Sequence, residues 1–266
     1  MGAKIGIECR EIKMLIAVQN LSTMVSDADV ATMVAAIDVQ LRLQFLPAWR
    51  TNSVSIQFFA KGTAIPGYAW VLDVIDNDAS VPGALGYHSE DGDKIDGYIM
   101  AQPVLTNGGV PLIFDPTNPG RYTVAATLSH EVCETIADRF VNLYADNGNT
   151  SWAVEVCDPV ESVSYGVGVN GVVVAMSDFV FPNFFNQEAT ASNAPFSFMK
   201  SVSAPFTLAS GGYAVVRTGG PGTEQQIYGK SMPKWRRDQK RSEFSRAYKR
   251  SGIGKSFWGR LSRALF

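Results

Sequence analysis

Three side chains that can bind a metal ion and activate water lie close together in the segment Leu128–Asp138, which reads LSHEVCETIAD. His130 and Glu134 are four residues apart, so on a helix both side chains lie on one face and can bind one ion. Glu131 follows His130 and can take a proton from a water molecule that the ion polarises. The spacing therefore predicts a metal site with His130 and Glu134 as ligands and Glu131 as the catalytic base.

The third ligand must come from another part of the chain, and it is expected to be a carboxylate because the sequence contains only two histidines, His88 and His130. A second acidic cluster, EVCDPVE, follows the motif at residues 155–161. We prefer Asp158 as the third ligand, because the proline after it ends the predicted strand and frees the carboxylate to turn inward. Glu155 is the close alternative, and a carboxylate is a competent zinc ligand in either case.

Other polar residues near the motif have roles that the sequence leaves open. His88 is predicted as a second catalytic residue that lines the cleft and donates to substrate or transition state, and a hydrogen-bonded loop histidine is the equal alternative. Asp138 lies about 12 Å along a straight helix from His130, which favours a capping or supporting role. Cys133 and Cys157 offer a competing structural zinc site with His130, although a buried cysteine is usually a small apolar residue.

The elements that must position these residues are predicted as alternating strands and helices. Ser26 is a favourable N-cap for the first helix, and Thr117 or Asn118 can cap the second, which begins with Pro119. Asn170-Gly171 between two β-branched runs predicts a hairpin with a type I′ turn. The predicted helices are 27–46 and 119–140, and a proline ends the first of them. The predicted strands are 14–18, 54–60, 70–75, 98–102, 152–157 and 211–216.

The composition is that of a globular protein rather than a membrane or disulfide-rich one. The chain has 266 residues, 46% of them apolar, and a formal net charge of −2. No apolar run approaches the roughly 20 residues of a membrane span, and the N-terminus lacks the apolar region of a signal peptide. Three cysteines are too few for a disulfide framework, which favours a reducing compartment.

Beyond the single motif, the chain resembles a family of largely uncharacterised zincin-like (metallopeptidase-type) proteins from bacterial and phage genomes. The runs that carry the resemblance are LSHEVCETIAD at 128–138, EVCDPVE at 155–161, SDFVFPNFF at 177–185, GALGYH at 83–88 and FLPAW at 45–49. The resemblance implies an α/β (α+β) fold in which a mixed sheet packs on the metal-site helix. It also implies zinc as the cofactor, His130 and Glu134 as ligands and Glu131 as the general base.

The C-terminal segment differs in charge from the rest of the chain. Residues 230–266 contain 12 Lys and Arg against two acidic residues, whereas the first 229 residues contain 11 against 23. Aromatic residues are interleaved with the cations, which suits binding to nucleic acid, to lipid headgroups or to an acidic protein surface. We therefore predict a leader at 1–12, a zincin-like domain at 13–218, a linker at 219–229 and a basic aromatic tail at 230–266.

Two functions follow as expectations. The first is a zinc metallopeptidase that acts on a protein or peptide, is phage-encoded and is associated with the virion. The alternative is a non-catalytic virion structural or assembly protein, whose zincin-like fold is a scaffold and whose tail docks on partner subunits or DNA. Both place the chain in a larger assembly, in the cytoplasm of the host cell or in the virion.

Overall fold

The described residues form a mixed α/β structure of the α+β type, which confirms the fold class at this level. The computed structural model describes residues 14–51, 53–81, 83–91, 94–190, 195–218 and 224–237. The strands are β1 Met14–Asn20, β2 Val54–Phe59, β3 Trp70–Ile75, β4 Gly86–Asp91, β5 Lys94–Met100, β6 Tyr144–Asn147, β7 Thr150–Ala153, β8 Ser164–Val169, β9 Val172–Ser177, β10 Tyr213–Thr218 and β11 Glu224–Tyr228. The α-helices are α1 Asp27–Gln40, α2 Leu46–Trp49, α3 Ala101–Thr106, α4 Val124–Ala137 and α5 Lys234–Arg237.

The main sheet is mixed, with strand order β2-β1-β3-β5-β4. The first four strands in this order are parallel, and β4 is the antiparallel edge strand. Along β3 buried and half-buried residues alternate, so one face of the sheet carries the core residues Leu72 and Val74. Helices α1 and α4 pack on the sheet and also contact the β8–β9 hairpin, which places α4 in the interior.

Helix α1 begins where the sequence predicts, because Ser26 and Asp29 form a reciprocal capping box. Its continuation differs from the expected single α-helix, since residues Leu41–Phe45 form a π-helical turn before α2. Pro47 does not end the run, because it lies in the first turn of α2, where its missing N–H is not needed.

Helix α4, which carries the motif, is shorter than the predicted span 119–140. Thr123 has an extended backbone and its hydroxyl accepts a hydrogen bond from the Ala126 N–H, so the helix begins there and not at Thr117 or Asn118. The helix ends at Ala137, after which the Asp138 carboxylate accepts hydrogen bonds from two backbone N–H groups further along the chain.

The remaining strands form a four-stranded sheet of order β11-β10-β7-β6 and the β8–β9 hairpin. The predicted turn is confirmed, since Asn170 and Gly171 have φ of 49° and 82°, as a type I′ turn requires. The segment predicted as a linker contains β11, which pairs with β10. The predicted leader, the glycine-rich run 219–222 and the tail beyond Arg237 lie outside the described residues.

Two predicted strands end at least two residues earlier than expected. The strand predicted at 98–102 is β5, which ends at Met100, and Gln102 belongs to α3. The strand predicted at 152–157 is β7, which ends at Ala153. The chain then leaves the sheet, and this departure brings the acidic cluster at 155–161 towards α4.

Candidate metal centre

His130 lies between two carboxylates. Its Nε2 atom is 3.1 Å from Glu134 Oε1 and 3.1 Å from Asp158 Oδ1. His130 and Glu134 lie one turn apart on α4, and Asp158 begins a short 3-10 turn after the chain has left β7. The three ligand atoms all lie within 4.8 Å of one another, so this group can hold a metal ion.

The turn that carries Asp158 is attached to both the helix and the second sheet. The Cys157 N–H donates to Glu134 Oε1 at 3.3 Å, so the backbone before Asp158 contacts a second member of the same group. On the other side the Ala209 N–H donates to the Pro159 carbonyl. A Cβ at Gly212 would overlap that carbonyl, which means that β10 can approach the turn only with glycine there. The carboxylate of Asp158 is thus held in place from two directions.

A second group shares one residue with the first. His88 on β4 places its Nδ1 atom 3.1 Å from Glu131 Oε2 on α4, with side-chain exposures of 1% and 3%. Gly86, two residues before His88 and therefore on the same face of β4, has room for no side chain, because a Cβ there would lie 2.8 Å from Glu131. Ligand atoms of His88, Glu131 and Glu134 all lie within 4.8 Å of one another. Glu134 therefore belongs to both groups.

The electrostatic field of the first group favours a positive charge. Burial lowers the pKa of the His130 imidazole, but Glu134 and Asp158 outweigh that effect and raise this pKa well above its ordinary value. The same field that holds a proton on the imidazole favours a metal cation bound in its place.

The other predicted residues are placed as follows. Glu155 is buried but belongs to neither group, whereas Asp158 contacts His130 directly. Asp138 is the C-cap residue of α4, in agreement with the capping role expected for it, and its carboxylate holds the following loop through two backbone N–H groups.

The thiols of the two cysteines lie in contact with each other. Burial raises the pKa of the Cys157 thiol, and the contact with Cys133 raises it further. The Cys157 thiol therefore favours the protonated form, which is a poor metal ligand. Among the described residues the possible metal groups contain no cysteine, so the thiolate-rich alternative has no support in the structure.

Gln40 is a supporting residue that the sequence analysis missed. Its fully buried amide donates to the Tyr165 hydroxyl and the Ser177 carbonyl, and its oxygen accepts from the Ser129 hydroxyl at 2.8 Å. It therefore ties α1 to the motif helix, next to His130, and to β9. The sequence feature that could have revealed this role is the position of a glutamine on the apolar face of α1, three residues after the core residue Ile37.

Comparisons with protein-family models, curated proteins and solved structures find no match. Within the described part of the chain, no helix is long and apolar enough to cross a membrane. The geometry of the two possible metal groups is therefore the basis for proposing a function.

Both groups are closed to solvent except at one residue. His130 has a side-chain exposure of 9%, whereas Glu134 and Asp158 have none. A surface depression of about 350 Å³, lined in part by Pro103 of α3 and Trp235 of α5, contains no member of either group. Any ligand that reaches the metal centre must therefore approach it from the side of His130.

Proposed function

We propose that this protein is a zincin-like zinc metallopeptidase in which His130, Glu134 and Asp158 hold the ion and Glu131 is the general base. The proposal depends on the two 3.1 Å separations between His130 Nε2 and the carboxylate oxygens. Ligand atoms bonded to one tetrahedral zinc ion at about 2.0 Å are about 3.3 Å apart. The three side chains therefore need only small adjustments to share one ion.

The composition of this ligand set supports zinc and a catalytic role. An imidazole among the ligands favours zinc over the calcium and magnesium ions that oxygen-only sites bind. Three protein ligands leave the fourth tetrahedral position for water or substrate, as in catalytic zinc sites. The mixed sheet above α4 is also the arrangement that the resemblance to zincin-like proteins implies, and it supports the proposal.

The residues of the chain have distinct tasks in peptide hydrolysis. A bound zinc ion would lower the pKa of a water molecule and polarise the substrate carbonyl. Glu131 follows His130 directly, and its carboxylate accepts the proton of the attacking water and delivers it to the leaving amine. His88 Nδ1, at 3.1 Å from Glu131 Oε2, fixes the orientation of that carboxylate. The low exposure of both side chains keeps bulk water from competing for the proton.

Metal content and cleavage can be tested together on the full chain. Glu131→Gln should retain one equivalent of zinc by mass spectrometry and lose cleavage of a fluorogenic peptide pool by about 10²- to 10⁴-fold. His130→Ala should lose both zinc and cleavage, because it removes a ligand. Glu188→Gln is the matched control, since Glu188 is exposed and belongs to neither group. Unchanged cleavage in Glu131→Gln would refute the assignment of the base.

A non-catalytic assembly role is the second candidate, and the first residues of the basic tail support it. Trp235 packs edge-to-face against Tyr122 with ring centroids 5.1 Å apart, and the Arg236 guanidinium donates to the Glu161 carboxylate. The first residues of the basic segment are therefore held against the body, as an arm that docks on partner subunits or DNA requires. A chain that ends at Arg237 should lose association with nucleic acid or with copies of itself in sedimentation. Unchanged sedimentation would count against this role.

A further inference from the structure

We infer that a second zinc ion binds between His88, Glu131 and Glu134, beside the proposed catalytic ion, and that its binding inhibits hydrolysis. The inference about inhibition rests on the proposed function, whereas the inference about binding stands on the geometry alone. Both concern a site that a single-ion peptidase does not need.

The geometry of the second group matches that of the first. The separation of His88 Nδ1 from Glu131 Oε2 is 3.1 Å, the same as each separation at His130. This value is again close to the distance of about 3.3 Å between ligand atoms on one tetrahedral zinc ion. The group is also built from two rigid elements, since His88 lies on β4 and the two glutamates lie on α4.

The hydrogen bonding of His88 also points to a cation. Its side chain is 1% exposed, and its Nε2 atom has no hydrogen-bond partner among the described residues. When the proton is on Nε2, the Nδ1 lone pair faces the Glu131 oxygen, and only a cation between the two atoms makes that contact attractive. When the proton is on Nδ1, it forms a hydrogen bond to Glu131. The metal-binding form is therefore the tautomer with the proton on Nε2, which leaves the Nδ1 lone pair for an ion.

The charges of the two groups are compatible with a second cation. Glu131, Glu134 and Asp158 are three buried carboxylates, and metal-bound histidines are neutral. One divalent ion neutralises two carboxylates, so the third retains its attraction for a second cation. Glu134 belongs to both groups, and a shared carboxylate can bridge two ions about 3.5–4 Å apart.

Occupation of the second site weakens the general base. An ion bound to one Glu131 oxygen stabilises the ionised carboxylate, so neither oxygen takes the proton of the attacking water as readily. Hydrolysis should therefore rise with the first equivalent of zinc and fall as the second site fills.

The test is a zinc titration of the full chain by equilibrium dialysis, with peptide cleavage followed in parallel. Wild type should bind two equivalents and lose activity in excess zinc. His88→Ala should bind the second equivalent at least tenfold more weakly. Its activity with one equivalent should be lower than that of wild type, because His88 also orients Glu131, but excess zinc should not lower that activity further. Ser89→Ala is the matched control on the same strand, since Ser89 bonds to the Asp96 carbonyl and belongs to neither group. It should behave as wild type.

Crystals soaked in excess zinc provide a measurement that does not depend on a variant or on activity. Two anomalous peaks about 3.5–4 Å apart would support the inference. A single peak, or one equivalent of zinc bound by the wild type at saturation, would overturn it and leave the proposed peptidase intact. Two equivalents bound without cleavage would confirm the site and refute the peptidase.

Discussion

Gly86→Ala should disable hydrolysis without removing the metal. A Cβ at Gly86 would lie 2.8 Å from Cγ and Oε1 of Glu131, about 0.6 Å short of the 3.4 Å at which ordinary van der Waals contact begins. The backbone of β4 is paired with β5 and resists movement, so the glutamate side chain must shift away from His88. His130 and Asp158 are not among the nearest atoms around that Cβ and should keep their positions.

The magnitude follows from how sharply catalysis depends on position. A displacement of about 1 Å can reduce a rate by about 10²-fold, so a shift of about 0.6 Å should lower kcat/KM by roughly 10- to 100-fold. The assay is peptide cleavage by zinc-loaded protein whose metal content is measured in the same sample. KM should change little, because Gly86 contacts the base and not the opening at His130.

Gly168→Ala is the control for this prediction. Gly168 also lies in a strand, β8, but nothing lies within 4 Å of a Cβ placed there. Its kcat/KM should equal that of the wild type. If Gly86→Ala retains both zinc and full activity, Glu131 is not the general base in this position and the reasoning fails.

Three other perturbations have expected outcomes. Asp158→Asn should weaken zinc binding at least about tenfold in equilibrium dialysis. Glu155→Gln should weaken it less, since Glu155 belongs to neither metal group. Equal losses in the two variants would contradict the choice of Asp158 over Glu155 as the third ligand. Because the pKa of His130 is raised, protonation of His130 should contribute fully to the free energy of unfolding of the metal-free protein below about pH 6.5, and this contribution should be lost as the pH rises through the raised pKa. Zinc affinity should instead increase as the pH rises, because the proton and the ion compete for the imidazole. Urea denaturation across pH measures the stability, and dialysis across pH measures the affinity. In calorimetry, protein with free zinc at about 100 times its Kd should have a Tm roughly 5–10 °C above that of the same protein after the zinc is chelated. Equal Tm values would mean that the folded chain does not bind zinc.

The sequence predicts best the features that depend on local contacts. The start of α1 depends on Ser26 and Asp29, which are three residues apart, and the hairpin turn depends on the adjacent residues Asn170 and Gly171. The placement of His130 and Glu134 on one helical face is also local, since it follows from the helical repeat. These predictions needed no knowledge of tertiary structure.

The sequence predicts poorly the features that depend on distant partners. Strand β4 is short and rich in polar residues, and it exists because β5 pairs with it along one edge. Strand β11 lies in a segment whose composition resembles a linker, but β10 pairs with it. The contact between His88 and Glu131 joins residues 43 apart in the chain, so no spacing rule could reveal it. The second metal group could therefore not be predicted from the sequence, because it forms only where β4 lies beside α4.

The attachment of the basic segment has a mechanical consequence. Arg236 is fixed to Glu161, which directly follows the 3-10 turn Asp158–Val160. Force applied to the chain beyond Arg237 would act first on this ion pair and then on the turn that carries Asp158. If the basic segment binds a partner, that binding and the occupancy of the proposed metal centre should therefore respond to each other.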